Sequence, residues 1–366
     1  MRVLITTDVV GGVWSFTEEL VDSLRARGHE PALAALGGRP SAAQRAWLDA
    51  RPGLRCYLLP YPLEWMPEPE PGLSASLAAL REVGQRFAPD VVHLNQFYYG
   101  AHQLGAPRVV TAHSDVLSWW HAVKGEAPPA DAWFARYRGW VGAGLTGAAA
   151  RTAPASWSAR RTEELYAPGP IRAIHNARTP ARYLASVAAP RRRRVVAAGR
   201  LWDEAKAVTD LAAAAPALAA ADIEVTVAGP VHHPAGGRDF PADAPGLRWV
   251  GSLDAPALQA LLAESAVYAA TSRYEPFGLA PLEAALAGCA LVARDIPTFR
   301  ELWDGCALFY EPGEAGALAD AVRSLLGDEP ARRALAEAAQ ARALERYAPE
   351  RLGAAYEAVY REATTR

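Results

Sequence analysis

The stretch TSRYEPFGLAPLEAALAGCA, residues 271 to 290, sets two carboxylates, Glu275 and Glu283, around a segment that reads as a helix start. Pro281 is tolerated in a first helical turn, and LEAALAG runs to Gly288, so the spacing predicts a helix opening near Leu279. N–H groups of Gly278, Leu279 and Ala280 would then point out of the helix end and form a cradle for an anion such as phosphate. Glu275 and Glu283, eight positions apart, can accept hydrogen bonds from two sets of hydroxyls on one extended ligand. The plainer alternative makes them favourable acids near an ordinary helix start.

The segment GRLWDEAKAV offers the complementary charges, Arg200 and Lys206. Lys124 and Lys206 are the only lysines among 38 basic residues, so an ammonium at 206 stands out in an arginine-rich chain. A lysine places a mobile point charge on a phosphate oxygen, whereas an arginine clamps it with a fork. Together they could neutralise a diphosphate without a metal; the alternative is a solvated loop in which Asp203 and Glu204 balance the charges. Hydroxyl-reading carboxylates next to a diphosphate-sized anion cradle match the layout of a nucleotide sugar.

Other residues sit where strands should end. Gly11 and Gly12 in TTDVVGGVWS allow a backbone to approach a phosphate closely, and Gly229 closes the strand IEVTVAGP. His113 and Asp115 in TAHSD, with Asn95 at the end of DVVHLN, would face the ligand crevice of an open α/β sheet. His113 is suited to bond a sugar hydroxyl or carry a proton. Eight of the eleven tryptophans precede residue 179, and most should pack internally. Trp119 and Trp120, just after TAHSD, are the pair placed to stack on an acceptor.

The chain lacks DxD, HExxH, GxSxG and the Walker lysine motif, and TTDVVGG is not GxGxxG, so no metal and no nicotinamide site is expected. His232 and His233 read as loop residues near the nucleotide. The three cysteines form no CxxC pair and suggest neither a disulfide framework nor a thiolate site, which fits a cytoplasmic setting. With 38 Lys plus Arg against 40 Asp plus Glu and a net charge of -2, no field recruits nucleic acid. No transmembrane segment is expected; transient membrane contact stays open.

Positioning these groups requires 366 residues, 51% of them hydrophobic, to form two lobes. RVLITT, DVVHLN, RVVTAH and IRAIHN read as strands of a first parallel sheet, with GGVW as a turn and FTEELVDSLRARGH as a helix. After TPARYLASVAAPRRRR, read as a solvated linker, RVVAAGRL, IEVTVAGP, LRWVGSL, AVYAATS, ALVARDI and ALFYEP read as a second set. The expected division is a Rossmann-like acceptor domain over 1–178, a linker over 179–193 and a Rossmann-like nucleotide-sugar domain over 194–348. A helix over 349–366 packs outside as a strap, with a return to the first lobe left open.

In order, GG near the start, TAHSD, IHNA, GRLWDEAK, VAGP and EPFGLAPLE resemble family 4 of the retaining glycosyltransferases, of the GT-B fold. That resemblance implies two doubly wound parallel-sheet domains facing across a cleft. It implies transfer of a hexosyl group from a nucleoside diphosphate sugar, of UDP, GDP or ADP type, to an acceptor hydroxyl with retained configuration. No cofactor and no metal is implied. Arg200 and Lys206 would hold the diphosphate, Glu283 the ribose, Glu275 the donor sugar, and Gly12 with the amides of Gly278, Leu279 and Ala280 the phosphates. His113 would touch the donor sugar. The acceptor would be a small molecule, a saccharide or a lipid. IHNARTP departs from the family pattern, in which glycine follows the asparagine, by placing Ala177 there. A nucleotide-sugar epimerase, another GT-B-like enzyme and a non-catalytic nucleotide-sugar-binding subunit are the alternatives, with a dehydrogenase more distant.

Overall fold

A computed structural model describes residues 1–232, 239–311, 313 and 316–365. The chain divides into two units, Met1–Ala177 with Pro349–Arg366, and Arg178–Ala348.

The first unit is built on seven parallel strands: β1 (Arg2–Asp8), β2 (Glu30–Leu36), β3 (Arg55–Leu58), β4 (Val91–Leu94), β5 (Arg108–Thr111), β6 (Ala150–Ala153) and β7 (Arg172–Ala173). Their order in the sheet is β3-β2-β1-β4-β5-β6-β7. Helices α1 (Gly12–Ala26), α2 (Ala42–Asp49), α3 (Glu70–Phe87), α4 (Val116–Lys124), α5 (Ala132–Gly147) and α6 (Ser156–Tyr166) make the connections. Strands covered on both faces read as continuous apolar runs, and β1 is buried from Val3 to Asp8.

The second unit has six parallel strands: β8 (Arg192–Ala198), β9 (Glu224–Ala228), β10 (Leu247–Trp249), β11 (Ser265–Ala270), β12 (Ala290–Arg294) and β13 (Ala307–Tyr310). Their order is β10-β9-β8-β11-β12-β13. They alternate with α7 (Val208–Ala219), α8 (Ala255–Glu264), α9 (Leu279–Leu286), α10 (Pro297–Trp303), α11 (Ala317–Gly327) and α12 (Glu329–Arg346). Each sheet reverses its winding once, between β1 and β4 and between β8 and β11. In open α/β sheets ligands bind outside the strand ends at such a reversal.

The last helix, α13 (Pro349–Thr364), belongs to the first unit. Leu352, Tyr356, Val359, Tyr360 and Ala363 join the core of Phe16, Leu20 and Leu24. Polar contacts fix the register. The His93 ring bonds the Tyr360 hydroxyl at 2.6 Å and Thr111 Oγ1 at 2.8 Å, while the Tyr356 hydroxyl lies 3.2 Å from Thr111 Oγ1.

Two expectations change. GVW opens α1 rather than forming a turn. The arginine tract is solvated only at Arg192 and Arg193, and residues 178–193 belong to the second unit rather than to a separate linker. Arg191 donates to the carbonyls of Ser265 and Ala287, and buried Arg194 pairs with Glu224 at 2.9 Å. These guanidiniums satisfy carbonyls and a carboxylate at the entry to β8, so the tract is ordered by its charge rather than freed by it.

Burial holds His93 and His113 down at about 3, far below the usual 6.5. The unfolded chain then binds more protons than the folded one between pH 3 and 6.5, so their contribution to stability is lost as pH falls through that window. Glu64, which burial raises from 4.5 to about 7, acts in the opposite sense, its protonated form favouring the fold less as pH rises from 4.5 to 7. Two larger shifts outweigh one smaller shift. The melting temperature should fall as pH drops from 6.5 toward 4.5, and His93→Gln should flatten that dependence; an equally steep profile in the variant would contradict the assignment.

Candidate functional site

Lys206 and Glu275 come from loops at the ends of β8 and β11, the two strands that flank the winding reversal. Beyond β8 the chain turns through Gly199, whose φ is +149°. Asp203 Oδ1 accepts the Ala205 N–H at 3.0 Å and so caps a 3-10 turn over Glu204–Lys206. Two bonds stitch this loop to the one after β11. The Ala205 carbonyl accepts from the Arg273 N–H at 2.7 Å, and the Lys206 carbonyl accepts from Thr271 Oγ1 at 2.7 Å. The result is a 2.5 Å contact from Lys206 Nζ to Glu275 Oε2, which also accepts from Ser272 Oγ at 3.2 Å.

Helix α9 begins at Leu279, as the spacing predicts, after Gly278 in the left-handed region at φ +94°. A Cβ there would meet Glu275 Cγ at 3.2 Å and Phe299 Cε1 at 3.3 Å, so the turn that carries Glu275 into the helix requires glycine. No side chain caps α9 and no acid occupies its first turn. Its leading amides, Leu279 and Ala280, therefore keep the partial positive charge of a helix start, four and five residues after Glu275.

Arg200 is held differently. Its Nη2 donates to Asp203 Oδ2 at 2.8 Å, and its guanidinium lies 5.6 Å from the centre of the Trp202 ring. Burial alone would raise Asp203, but the Arg200 charge and hydrogen bond hold it below the usual carboxylate range. Asp203 thus balances Arg200, as the solvated-loop alternative has it, whereas Lys206 pairs with distant Glu275 and not with Glu204.

Glu283 is buried inside α9, and its Oε1 accepts from Arg178 Nε at 2.7 Å; both side chains are under 10% exposed. Tyr183 also bonds the Glu283 carboxylate. Sequence reasoning missed Arg178, although it directly follows Ala177 at the point where IHNARTP departs from the expected pattern. Gly229, expected among the donor-binding residues, has both backbone groups engaged. Its N–H donates to the Gly251 carbonyl at 2.8 Å and its carbonyl accepts from Trp249 Nε1 at 2.9 Å. A Cβ at 229 would lie 1.8 Å from the Gly199 carbonyl oxygen, so the residue is needed for close packing of two loops.

In the first unit, Asp8 Oδ1 accepts the N–H groups of Val10 and Gly11 at 3.0 and 3.2 Å, folding the turn that leads into α1 at Gly12. Asn95 Nδ2 donates to the Thr6 carbonyl at 2.7 Å, which turns Oδ1 toward His113 Nε2 at 2.8 Å. Nε2 therefore carries the proton and Nδ1 of the neutral ring is an acceptor. Of the two roles open to His113, this favours bonding a hydroxyl over carrying a proton. Asp115 is committed elsewhere: it caps α4 through the Ser118 N–H at 2.9 Å and accepts from the Tyr166 hydroxyl at 2.7 Å. Trp119 and Trp120 lie on α4 with Lys124 Nζ 5.6 and 6.0 Å from their rings, and Trp120 packs edge-on to Phe134.

His232 pairs with Asp239 at 2.7 Å, a carboxylate partner that sequence spacing did not suggest, and His233 lies outside the described residues. Among the described residues no group of three or more His, Cys, Asp or Glu is arranged to hold a metal ion. No described helix is long and apolar enough to cross a membrane.

Two family models match the chain: Glycosyltransferase Family 4 over residues 10–182 and Glycosyl transferases group 1 over residues 192–328. Glycogen synthase of Mycobacterium tuberculosis is 41% identical over 97 residues, which are 26% of this chain and 23% of that protein. The chain thus aligns with about a quarter of the length of its curated relatives. Sucrose-phosphate synthase from Thermosynechococcus elongatus superposes with a TM-score of 0.76 at 18% identity, covering 100% of this chain and 99% of that one. Anabaena HepE in complex with UDP-glucose gives 0.76 at 18% identity, covering 98% and 99%. With one family model on each parallel-sheet unit and full-length structural likeness to such enzymes, the chain belongs to the family 4-like glycosyltransferases of the GT-B fold.

Proposed function

We propose that the chain transfers a hexosyl group from a nucleoside diphosphate sugar to an acceptor hydroxyl, with retained anomeric configuration and without a divalent ion. The observation that carries this reading is the Lys206–Glu275 contact beside the uncapped start of α9. A compact cation and two outward amides meet there at a winding reversal, the arrangement a diphosphate needs. The UDP-glucose held by the HepE structure supports trying a UDP-sugar first.

In this reading Lys206 and the amides of Leu279 and Ala280 hold the diphosphate. When the bond from the sugar to the β-phosphate breaks, negative charge grows on the phosphate oxygens. Donors already aimed at that charge lower the barrier without reorganising. Arg200 lends a second, more exposed cation, Glu275 meets the donor sugar's hydroxyls while steering Lys206, and Glu283, held by Arg178 and Tyr183, takes the ribose hydroxyls. The amide of Gly12 at the start of α1 is offered to phosphate, Gly11 giving it close backbone approach, and His113 Nδ1 accepts from a sugar hydroxyl. The leaving phosphate takes the acceptor hydroxyl's proton on the face it departs from, which keeps the configuration.

Proton NMR of the product tests this. Release of nucleoside diphosphate that depends on acceptor, with an anomeric coupling matching that of the donor, is expected. An inverted product, or a changed sugar still attached to the nucleotide, would refute retention or transfer respectively.

A further inference from the structure

The Lys206–Glu275 contact is made by two loops, and both are anchored to one guanidinium of the second unit. Arg294 is the last residue of β12, a strand otherwise made of alanine, leucine and valine, and it stays buried at 8% exposure. Its Nε donates to the Thr271 carbonyl at 2.9 Å, and its Nη2 pairs with Asp210. Thr271 lies four residues before Glu275; Asp210 lies four residues after Lys206, in the first turn of α7. Thr271 in turn donates its hydroxyl to the Lys206 carbonyl. Chain and hydrogen bonds thus close a ring from Arg294 through Asp210, the start of α7, Lys206 and Thr271 back to Arg294. Tyr310, the partner of Arg294 between β12 and β13, puts its ring centre 5.9 Å from the guanidinium.

Two features say what the ring is for. The segment it closes is strained, because Ala207, between Lys206 and α7, sits in the left-handed region at φ +45°. A residue with a side chain keeps that conformation only where its surroundings hold it there. The ion pair, for its part, is a poor source of stability. Desolvating two charges costs about as much as their attraction returns, so apolar side chains of similar size are often as good or better. What the pair does supply is direction, since a carbonyl from one loop and a carboxylate from the other are fixed to one planar fork.

We propose that Arg294 is a positioning residue for the Lys206–Glu275 pair, acting through Asp210 and Thr271. This deepens the transferase reading and, for its effect on turnover, rests on it. An ammonium moved by about an ångström no longer meets the leaving-group charge, and a displacement of that size can cost about 10²-fold in rate.

Lys124 and Lys206 are the chain's only lysines, so lysine isotopically labelled at Cε gives two side-chain NMR signals, told apart by Lys206→Ala. Arg294→Met with Asp210→Leu removes both charges of the anchoring pair together. Arg194→Met with Glu224→Leu does the same to another ion pair of the second unit and serves as the control. The first variant should shift the Lys206 signal toward that of exposed Lys124 and narrow it, with a melting temperature matching the control's. It should also lower kcat for UDP release from UDP-glucose about ten-fold or more while KM stays within about three-fold. Asp210→Asn, milder because it keeps an oxygen for the guanidinium, should shift the Lys206 signal the same way by less. The control should leave both lysine signals and kcat in place. A Lys206 signal unmoved in both Asp210 variants, or moved as far by the control, would overturn the positioning role. A moved signal with unchanged UDP release would instead count against the donor reading of Lys206.

Discussion

Replacing Lys206 by alanine should lower the release of UDP from UDP-glucose by about 10²- to 10³-fold with little change in melting temperature. Lys206 is only partly buried, with 26% of its side chain exposed, so its removal opens no core cavity and leaves Glu275 able to reach water. An ion pair that still reaches solvent at its lysine contributes little to folding, roughly 0–1 kcal/mol. On the proposed mechanism its catalytic weight is larger, because leaving-group charge would grow between the ammonium and the start of α9. Lys206→Arg should not restore the rate, since a guanidinium fork cannot occupy the position of a compact ammonium held 2.5 Å from Glu275. A near-normal rate in Lys206→Ala, or a large fall in melting temperature with the rate preserved, would assign the lysine to structure.

Arg178→Ala should do the opposite and strike stability first. Its partner Glu283 is buried, and truncating one side of a buried pair leaves an uncompensated charge that typically costs about 3–5 kcal/mol. For a unit of this size that corresponds to a fall in melting temperature on the order of 10 °C. Donor affinity should weaken as well, because a carboxylate no longer held by Arg178 and Tyr183 loses its orientation toward ribose. A double change to apolar residues, Arg178→Met with Glu283→Leu, should be less destabilising than Arg178→Ala alone, since no charge stays buried. Calorimetry of both variants reads the difference; equal losses would show that packing, not the ion pair, dominates.

The motifs on loops were readable because their chemistry is local. EPFGLAPLE announces a helix start by proline and glycine placement, and the structure opens α9 at Leu279. The rarity of lysine singled out residue 206, whose side chain then reaches a glutamate 69 positions away. Strands with mixed signals were not readable. β2 is EPALAAL, rich in good helix formers, and becomes a strand because it is buried beside β1 along its whole length. β6, ARTA, is too short and too polar to signal itself, and IRAIHN shrinks to the two residues of β7. Arg178 and Arg294 escaped for another reason. Their significance lies in partners far along the chain, Glu283 and Asp210, which no spacing rule connects. Asp115 shows the converse: a carboxylate after a strand looks like a ligand group, yet here it is a helix cap.

Binding of UDP, followed by melting temperature in EDTA and in Mg²⁺ for the wild type and Lys206→Ala, bears most directly on a diphosphate held by protein charges alone. Equal stabilisation of the wild type in both buffers, and its loss in Lys206→Ala, is the expected result. Stabilisation that appears only with Mg²⁺, or that survives removal of the lysine unchanged, would contradict it.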